Sequence, residues 1–406
     1  MKRKTGMKRS VCRIISFMMV FTLLSAYGCN KGKTIDPDFY PTQNVSEEET
    51  IKEEEKTVEN ITKIAPDQVS DEDILKPEKN TFRETGKYEY NPVVIPDWIL
   101  KMFENNPKII RVAKQALIAI NNCETEFVLD EDIKLTQEEM DYVFGVIYYS
   151  TPLYAVAGVY ETDKPNVYNI SYFQEFVLGE EDENGVAQNV QLVGEASPEE
   201  AKEIVEAFQE YVTETINNNL TSDMTEREMA SILYKKIVTD IALEVENTEN
   251  YQGLSQESFI SGGMIKGIFD KKYTSGGEFV RLYSFFLTQL HIESREVLGT
   301  SGFFTEELKS ELRDAVPISY YWGWQVLQLD GEYFNCDITL EAIAFKERYQ
   351  GAEGAEPDMI YFGMSDKKRS ESYKVGKSSV YYNDVILYNT GSIGTVPNCP
   401  NDLDFH

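Results

Sequence analysis

The chain has 406 residues, with 39 Lys and Arg against 69 Asp and Glu, and a formal net charge of −30. Such an acidic chain repels the phosphate backbone, so nucleic acid is not expected as a partner. His291 and His406 are the only histidines in the sequence. This scarcity excludes most His-rich zinc sites, and no cysteine spacing suits a metal, so we expect neither a metal nor a cofactor.

Residues 1–28 have the pattern of a secretory signal. Six basic and no acidic side chains precede an apolar run at 14–24. This run is too short for a typical membrane-spanning helix. The run closes on Leu-Ser-Ala-Tyr-Gly-Cys, which resembles the bacterial lipobox and implies cleavage before Cys29 and lipid on its sulfur. An ordinary signal peptide and an uncleaved anchor are the alternatives. Loss of residues 1–28 would lower the net charge from −30 to −36.

Residues 29–88 are predicted to be an acidic, disordered tether. The stretch contains two Glu-Glu-Glu clusters, several prolines and few large apolar groups, and it shows no sustained hydrophobic periodicity. Chains of this composition bury too little apolar surface to fold. We therefore expect the tether to hold the folded part away from the membrane.

Helices are predicted where order begins. Apolar stripes at helical spacing follow Pro96 and Pro107, as in helices that pack one face on a core. Thr136 has the capping-box spacing to a glutamate, and Ser197 and Thr225 are placed as N-cap residues of two further helices.

Strands are predicted between and after these helices. Residues 153–176 alternate aromatic and β-branched side chains on either side of Asp163-Lys164-Pro165-Asn166, which favours an antiparallel hairpin. The second half combines one helix with several strands, predicted in order at 277–289, 295–298, 320–329 and 332–338, with a last hairpin at 380–388. Helices followed by sheet indicate an α+β fold.

Two segments carry a resemblance to a known family. Residues 322–339, WGWQVLQLDGEYFNCDIT, are similar to a run of the transglutaminase-like superfamily that begins His-Ala-Trp-Asn, passes Leu-Asp-Gly and closes on Asp-x-Thr. Residues 279–293 resemble the helix that follows the family's nucleophile. The resemblance implies a papain-like core over 221–406, preceded by a helical and hairpin extension over 89–220.

The family's chemistry requires a cysteine at a helix N-terminus, a histidine base and an aspartate that orients the imidazole. By the family's spacing, the nucleophile position is Gly276, or Ser275 with a one-residue shift. The histidine position is Trp322, whose indole N–H only donates. The orienting acid remains as Asp337. The resemblance therefore implies a degenerate triad with both reactive residues replaced.

Several residues have two interpretations. Ser275 suits helix capping better than nucleophilic attack. His291 ends the helix whose start would hold the nucleophile, which places it roughly 20 Å away. Cys336 should point away from Asp337 on a strand, and we interpret it as a buried apolar filler. The roles of Cys123 and Cys399 stay open.

An aromatic cluster is the predicted binding surface. Tyr321, Trp322 and Trp324 could stack on sugars or peptides, and core packing is the alternative interpretation.

The sequence thus predicts a lipoprotein on the extracytoplasmic face of a bacterial membrane. Its transglutaminase-like domain is expected to be a pseudoenzyme that binds a cell-wall peptide, a glycan or a protein. One alternative is an active hydrolase of cell-envelope peptides with a rearranged site. Another is a structural lipoprotein that binds through its acidic surface, in which case affinity should fall with salt.

Overall fold

The computed structural model describes fifteen stretches between residues 69 and 404, and they contain an α+β fold. These stretches are 69–79, 81–129, 133–155, 157–161, 166–178, 190–243, 263–273, 276–300, 321–349, 352, 354–372, 381–382, 385–387, 391–394 and 396–404. The described helices, in chain order, are α1 Asp71–Ile74, α2 Thr81–Thr85, α3 Asp97–Met102, α4 Pro107–Asn121, α5 Gln137–Ser150, α6 Pro198–Asn219, α7 Glu226–Asp240, α8 Gly263–Asp270, α9 Gly276–Gln289, α10 Ile338–Tyr349 and α11 Asp366–Ser372.

The predicted helix starts are confirmed. Thr136, Ser197 and Thr225 are the N-caps of α5, α6 and α7, and each accepts a hydrogen bond from the backbone N–H three residues later. In all three the glutamate at that position also bonds back to the backbone of the cap residue, which completes a capping box. These reciprocal bonds satisfy two N–H groups that a helix start leaves without partners.

The predicted first hairpin is also confirmed. Strands β1 Glu126–Val128, β2 Ala157–Glu161, β3 Val167–Leu178 and β4 Val190–Ala196 form one antiparallel sheet, in which β3 pairs with the other three. Two short strands, β5 Ala242–Leu243 and β6 Lys272–Tyr273, pair in parallel elsewhere.

A second antiparallel sheet carries the segment that resembles the family. Its members are β7 Ser294–Thr300, β8 Tyr321–Leu329, β9 Glu332–Cys336 and β10 Tyr381–Tyr382, in the order β10-β7-β8-β9. The turn between β8 and β9 is Asp330-Gly331, and both residues have positive φ, 52° and 87°. A two-residue turn of this kind matches the twist of the strands it joins. The predictions for β7, β8 and β9 are confirmed.

The prediction of a hairpin at 380–388 is wrong. Tyr381–Tyr382 pairs instead with Gly299 and Thr300 of β7, and the hairpin lies further on, between β11 Val385–Leu387 and β12 Gly391–Gly394. Near its end, β7 has backbone N–H and C=O groups on the side away from β8. A short extended segment that lies beside this edge can form hydrogen bonds with them. Hydrophobic alternation alone could not distinguish this pairing from a local hairpin.

The folded part begins earlier than predicted. Residues 69–79 and 81–88 lie in the span assigned to the tether, yet Ile74, Phe82 and Tyr88 are only 1–3% exposed. Their side chains join the same apolar core as Leu403, near the other end of the chain. Burial of these three side chains contributes to the free energy that holds the segment against the core. Residues 30–68 lie outside the described part, as do the signal segment and Cys29.

The extension packs directly on the C-terminal half. The Tyr88 hydroxyl donates to Oε1 of Gln289 at 2.6 Å, and the Trp98 indole donates to the carbonyl of Ser294 at 3.1 Å. Because α9 and β7 belong to the second half, the core is continuous across the boundary expected near residue 220. Among the described helices, none has the length and apolar character needed to cross a membrane.

Candidate functional site

The positions of the predicted site fall on three elements of the second half. Gly276 is the first residue of α9, and Trp322 is the second residue of β8, where its backbone stands opposite Gly299. Asp337 lies between the end of β9 and the start of α10. Ser275 and the side chains of Tyr321 and Trp322 lie outside the described part.

The carboxylate of Asp337 is buried and accepts a hydrogen bond. It is 0% exposed, and its Oδ1 accepts the backbone N–H of Leu340 at 3.0 Å, so Asp337 caps α10. The backbone of Asp337 is fixed as well, since its carbonyl accepts from the Tyr234 hydroxyl at 3.0 Å and its N–H donates to the Tyr361 carbonyl. The acid therefore has a structural role that needs no imidazole.

A buried arginine faces the other oxygen of this carboxylate. Nη2 of Arg369, on α11, lies 3.7 Å from Oδ2 of Asp337, and both side chains are 0% exposed. The guanidinium also stacks over the Trp324 ring, 4.2 Å from its centroid. Charge on Asp337 is thus balanced inside the core by a cation that cannot lose its proton at ordinary pH.

Trp324 is a core residue, which corrects its assignment to the binding surface. It is 0% exposed, and its indole donates to Oδ1 of Asn335 at 3.0 Å. Nδ2 of Asn335 in turn donates to Oδ1 of Asp366 at 2.9 Å. Since β8 lies inside its sheet, the Trp324 ring meets Arg369 and Asn335 rather than solvent. The core-packing interpretation holds for this residue.

The described cysteines are not activated nucleophiles. Cys123, Cys336 and Cys399 are free and buried. Burial raises the pKa of the Cys123 thiol to about 11, and it raises the pKa of the Cys336 and Cys399 thiols further. A catalytic thiolate requires the opposite shift. Cys336 packs as an apolar residue, and its sulfur accepts only the N–H of Gly363, at 3.4 Å, among the described contacts.

A buried acid lies on the sheet face that packs against α9. Glu296 on β7 is 6% exposed and stands opposite Gln325 on β8. Nε2 of Gln325 donates to the Val280 carbonyl at 2.7 Å, while its Oε1 has no donor in the described part. Burial raises the pKa of the Glu296 carboxyl, and nearby Arg281 lowers it by less. The protonated form of Glu296 is therefore favoured relative to an exposed glutamate.

We expect Glu296→Gln to stabilise the protein increasingly as pH rises. A folded-state pKa above the unfolded value of 4.5 means that the stability from this group is present below about pH 4.5 and is lost as pH rises through the folded pKa. Glutamine does not titrate, so the variant avoids that loss. Urea unfolding at several pH values measures the difference, with the exposed Glu199→Gln as control. A difference from wild type that stays constant with pH would contradict the assignment.

His291 lies far from Gly276. It follows α9 in a left-handed conformation, φ 56°, and its Nδ1 is 3.4 Å from Oδ1 of Asp97. The fourteen residues of α9 span about 20 Å, so the imidazole cannot serve a nucleophile at the start of the helix. Among the described residues, no group of His, Cys, Asp and Glu forms a metal site.

A cavity of about 210 Å³ lies beside His291. Its walls come from α3, the start of α7, the end of α9 and the β8–β9 hairpin, and its polar lining residues include Asp97, Lys101, Glu226 and Thr288. Sequence reasoning did not single out this position. Of the lining residues, only His291 was considered in the sequence, as a possible catalytic base.

Comparison with known proteins does not assign the chain to a family. No protein-family model matches it, and no curated protein is similar to it. The candidate site is therefore interpreted from its own geometry.

Proposed function

We propose that the chain is a lipid-anchored, extracytoplasmic bacterial lipoprotein whose transglutaminase-like domain binds a cell-wall peptide, a glycan or a protein without catalysis. The main support for the absence of catalysis comes from the contacts of the Asp337 side chain. Its carboxylate caps α10 and faces Arg369, with both side chains fully buried. Both oxygens of Asp337 thus face groups other than an imidazole, one the Leu340 N–H and the other Arg369.

The replacements at the other two positions support the same proposal. Gly276 has no side chain to act as a nucleophile, and the Trp322 indole cannot accept a proton. All three described thiols have raised pKa values, so none supplies a replacement thiolate. The arrangement retains a helix packed on a sheet, as the family resemblance implies, while the reactive groups are absent from those positions.

The location rests on the N-terminal sequence. The basic start, the apolar run at 14–24 and Cys29 form the pattern of a lipoprotein signal. One thioether-linked diacyl group, usually with a third chain, exceeds what stable anchoring requires. Metabolic labelling with an alkyne fatty acid should mark the wild-type chain and not Cys29→Ser.

A binding assay tests the proposed function. Residues 69–406 contain the described fold, and we expect this fragment to retain a cell-wall peptide or glycan that is recovered chemically unchanged. Trp322→Ala should weaken retention, because aromatic stacking is lost. The matched control is Phe269→Ala, which removes an exposed aromatic side chain on α8. Release of a cleaved or cross-linked ligand by the wild-type fragment would refute the proposal.

A further inference from the structure

The cavity beside His291 has the features of a built ligand site, and it does not depend on the proposed function. It lies at the end of α9 opposite Gly276, with lining residues from four separate elements. Its volume of about 210 Å³ is below the range for drug-sized ligands, roughly 300–1,000 Å³. The space suits a small molecule rather than a folded chain.

A hydroxyl without a hydrogen-bond partner in the described part of the chain lines this cavity. Thr288 is 4% exposed, and its hydroxyl makes no hydrogen bond within the described part of the chain. A helical threonine ordinarily bonds to a carbonyl in the preceding turn, and Thr288 makes no such bond. The hydroxyl of Thr288 is therefore available to a bound molecule.

Several hydrogen-bond acceptors line the cavity. Oδ1 of Asp97 lies 3.4 Å from Nδ1 of His291, and the carboxylate has further lone pairs that can accept hydrogen bonds. Glu226 uses one oxygen for the backbone N–H of Asp330, at 2.7 Å, and no described cation pairs with it. Glu293 is already satisfied by Arg295 at 2.6 Å. The carboxylates of Asp97 and Glu226 therefore remain to receive a donor with several hydrogens.

One cation without an ion pair among the described residues also lines the cavity. Lys101 lines the cavity, its side chain is exposed, and it forms no ion pair with any described residue. An ammonium beside the two carboxylates and a carboxylate beside Lys101 would satisfy both sets of groups. From this arrangement we infer that the cavity binds a free amino acid, with its ammonium toward Asp97 and Glu226 and its carboxylate toward Lys101.

Calorimetric titration of the full chain in detergent tests the inference, with the common amino acids as probes. For the amino acid that binds best, the matching amine without carboxylate and the matching acid without ammonium should each bind at least about ten-fold more weakly, since each loses a charge-assisted contact. Glu226→Gln, which keeps an acceptor for Asp330, and Thr288→Val, which keeps the shape, should each weaken binding by about ten-fold.

Controls separate loss of the site from loss of the fold. Lys101→Met changes an exposed side chain and should also weaken binding, while Glu199→Gln in the first turn of α6 should leave binding unchanged. The inference is overturned if none of the amino acids binds the wild-type chain. It is equally overturned if the amine binds as well as the amino acid, or if all three cavity variants bind like wild type.

Discussion

Arg369→Met should lower the free energy of unfolding by about 3–5 kcal/mol, because it leaves the Asp337 carboxylate buried without its cation. The methionine roughly preserves the volume of the side chain, so the loss of charge dominates the effect. Asp337 and Arg369 are both 0% exposed, and water cannot take the place of the arginine without opening the core. Urea unfolding of the wild-type and variant chains measures the difference.

Two further variants make this test specific. Arg348 pairs with Asp358 on the surface, and its side chain is 51% exposed, so Arg348→Met should have a much smaller effect. The double variant Arg369→Met with Asp337→Asn should recover part of the lost stability, since it removes the buried negative charge of Asp337 as well. If Arg369→Met lowers the free energy of unfolding no more than Arg348→Met does, the buried pair does not stabilise the fold around Asp337.

Gly363→Ala should destabilise the protein by about 2–4 kcal/mol, as the sum of backbone strain and overpacking. Gly363 has φ 69°, which disfavours a side chain, and an added Cβ would overlap the Cβ of Leu403 and lie 2.9 Å from its Cδ2. The Gly363 carbonyl also accepts the Leu403 N–H at 2.7 Å. The C-terminal segment therefore cannot move away without loss of this hydrogen bond.

Gly354→Ala is the matched control for this clash. Gly354 has φ 77°, yet an added Cβ would meet nothing within 4 Å. The control should cost about 1 kcal/mol, from backbone strain alone. Equal effects of the two substitutions on the urea midpoint would mean that the C-terminal segment does not pack against Gly363.

Features set by neighbouring residues were predictable from the sequence. The helices that start after Thr136, Ser197 and Thr225 follow from caps whose partners lie three residues away. The strands on either side of Asp330-Gly331 follow from alternation and turn chemistry. These signals need no knowledge of the rest of the fold.

Features set by distant partners were not predictable. Arg369 follows two lysines and has the pattern of an exposed basic run, yet it is buried against Asp337, 32 residues earlier in the chain. Ile74 and Phe82 lie in an acidic stretch with few apolar residues, and they are buried because they pack on a distant core. The environment of Trp324 depends on the same long-range packing.

The most direct test of the non-catalytic account is mass spectrometry of residues 69–406 after incubation with a glutamine-donor peptide, a primary amine and cell-wall peptides. The account predicts no amide exchange and no hydrolysis above the rate without protein. The rate with Asp337→Ala should equal the wild-type rate, since the buried carboxylate takes no part in chemistry. Turnover by the wild-type fragment that is abolished by Asp337→Ala or Ser275→Ala would contradict the account.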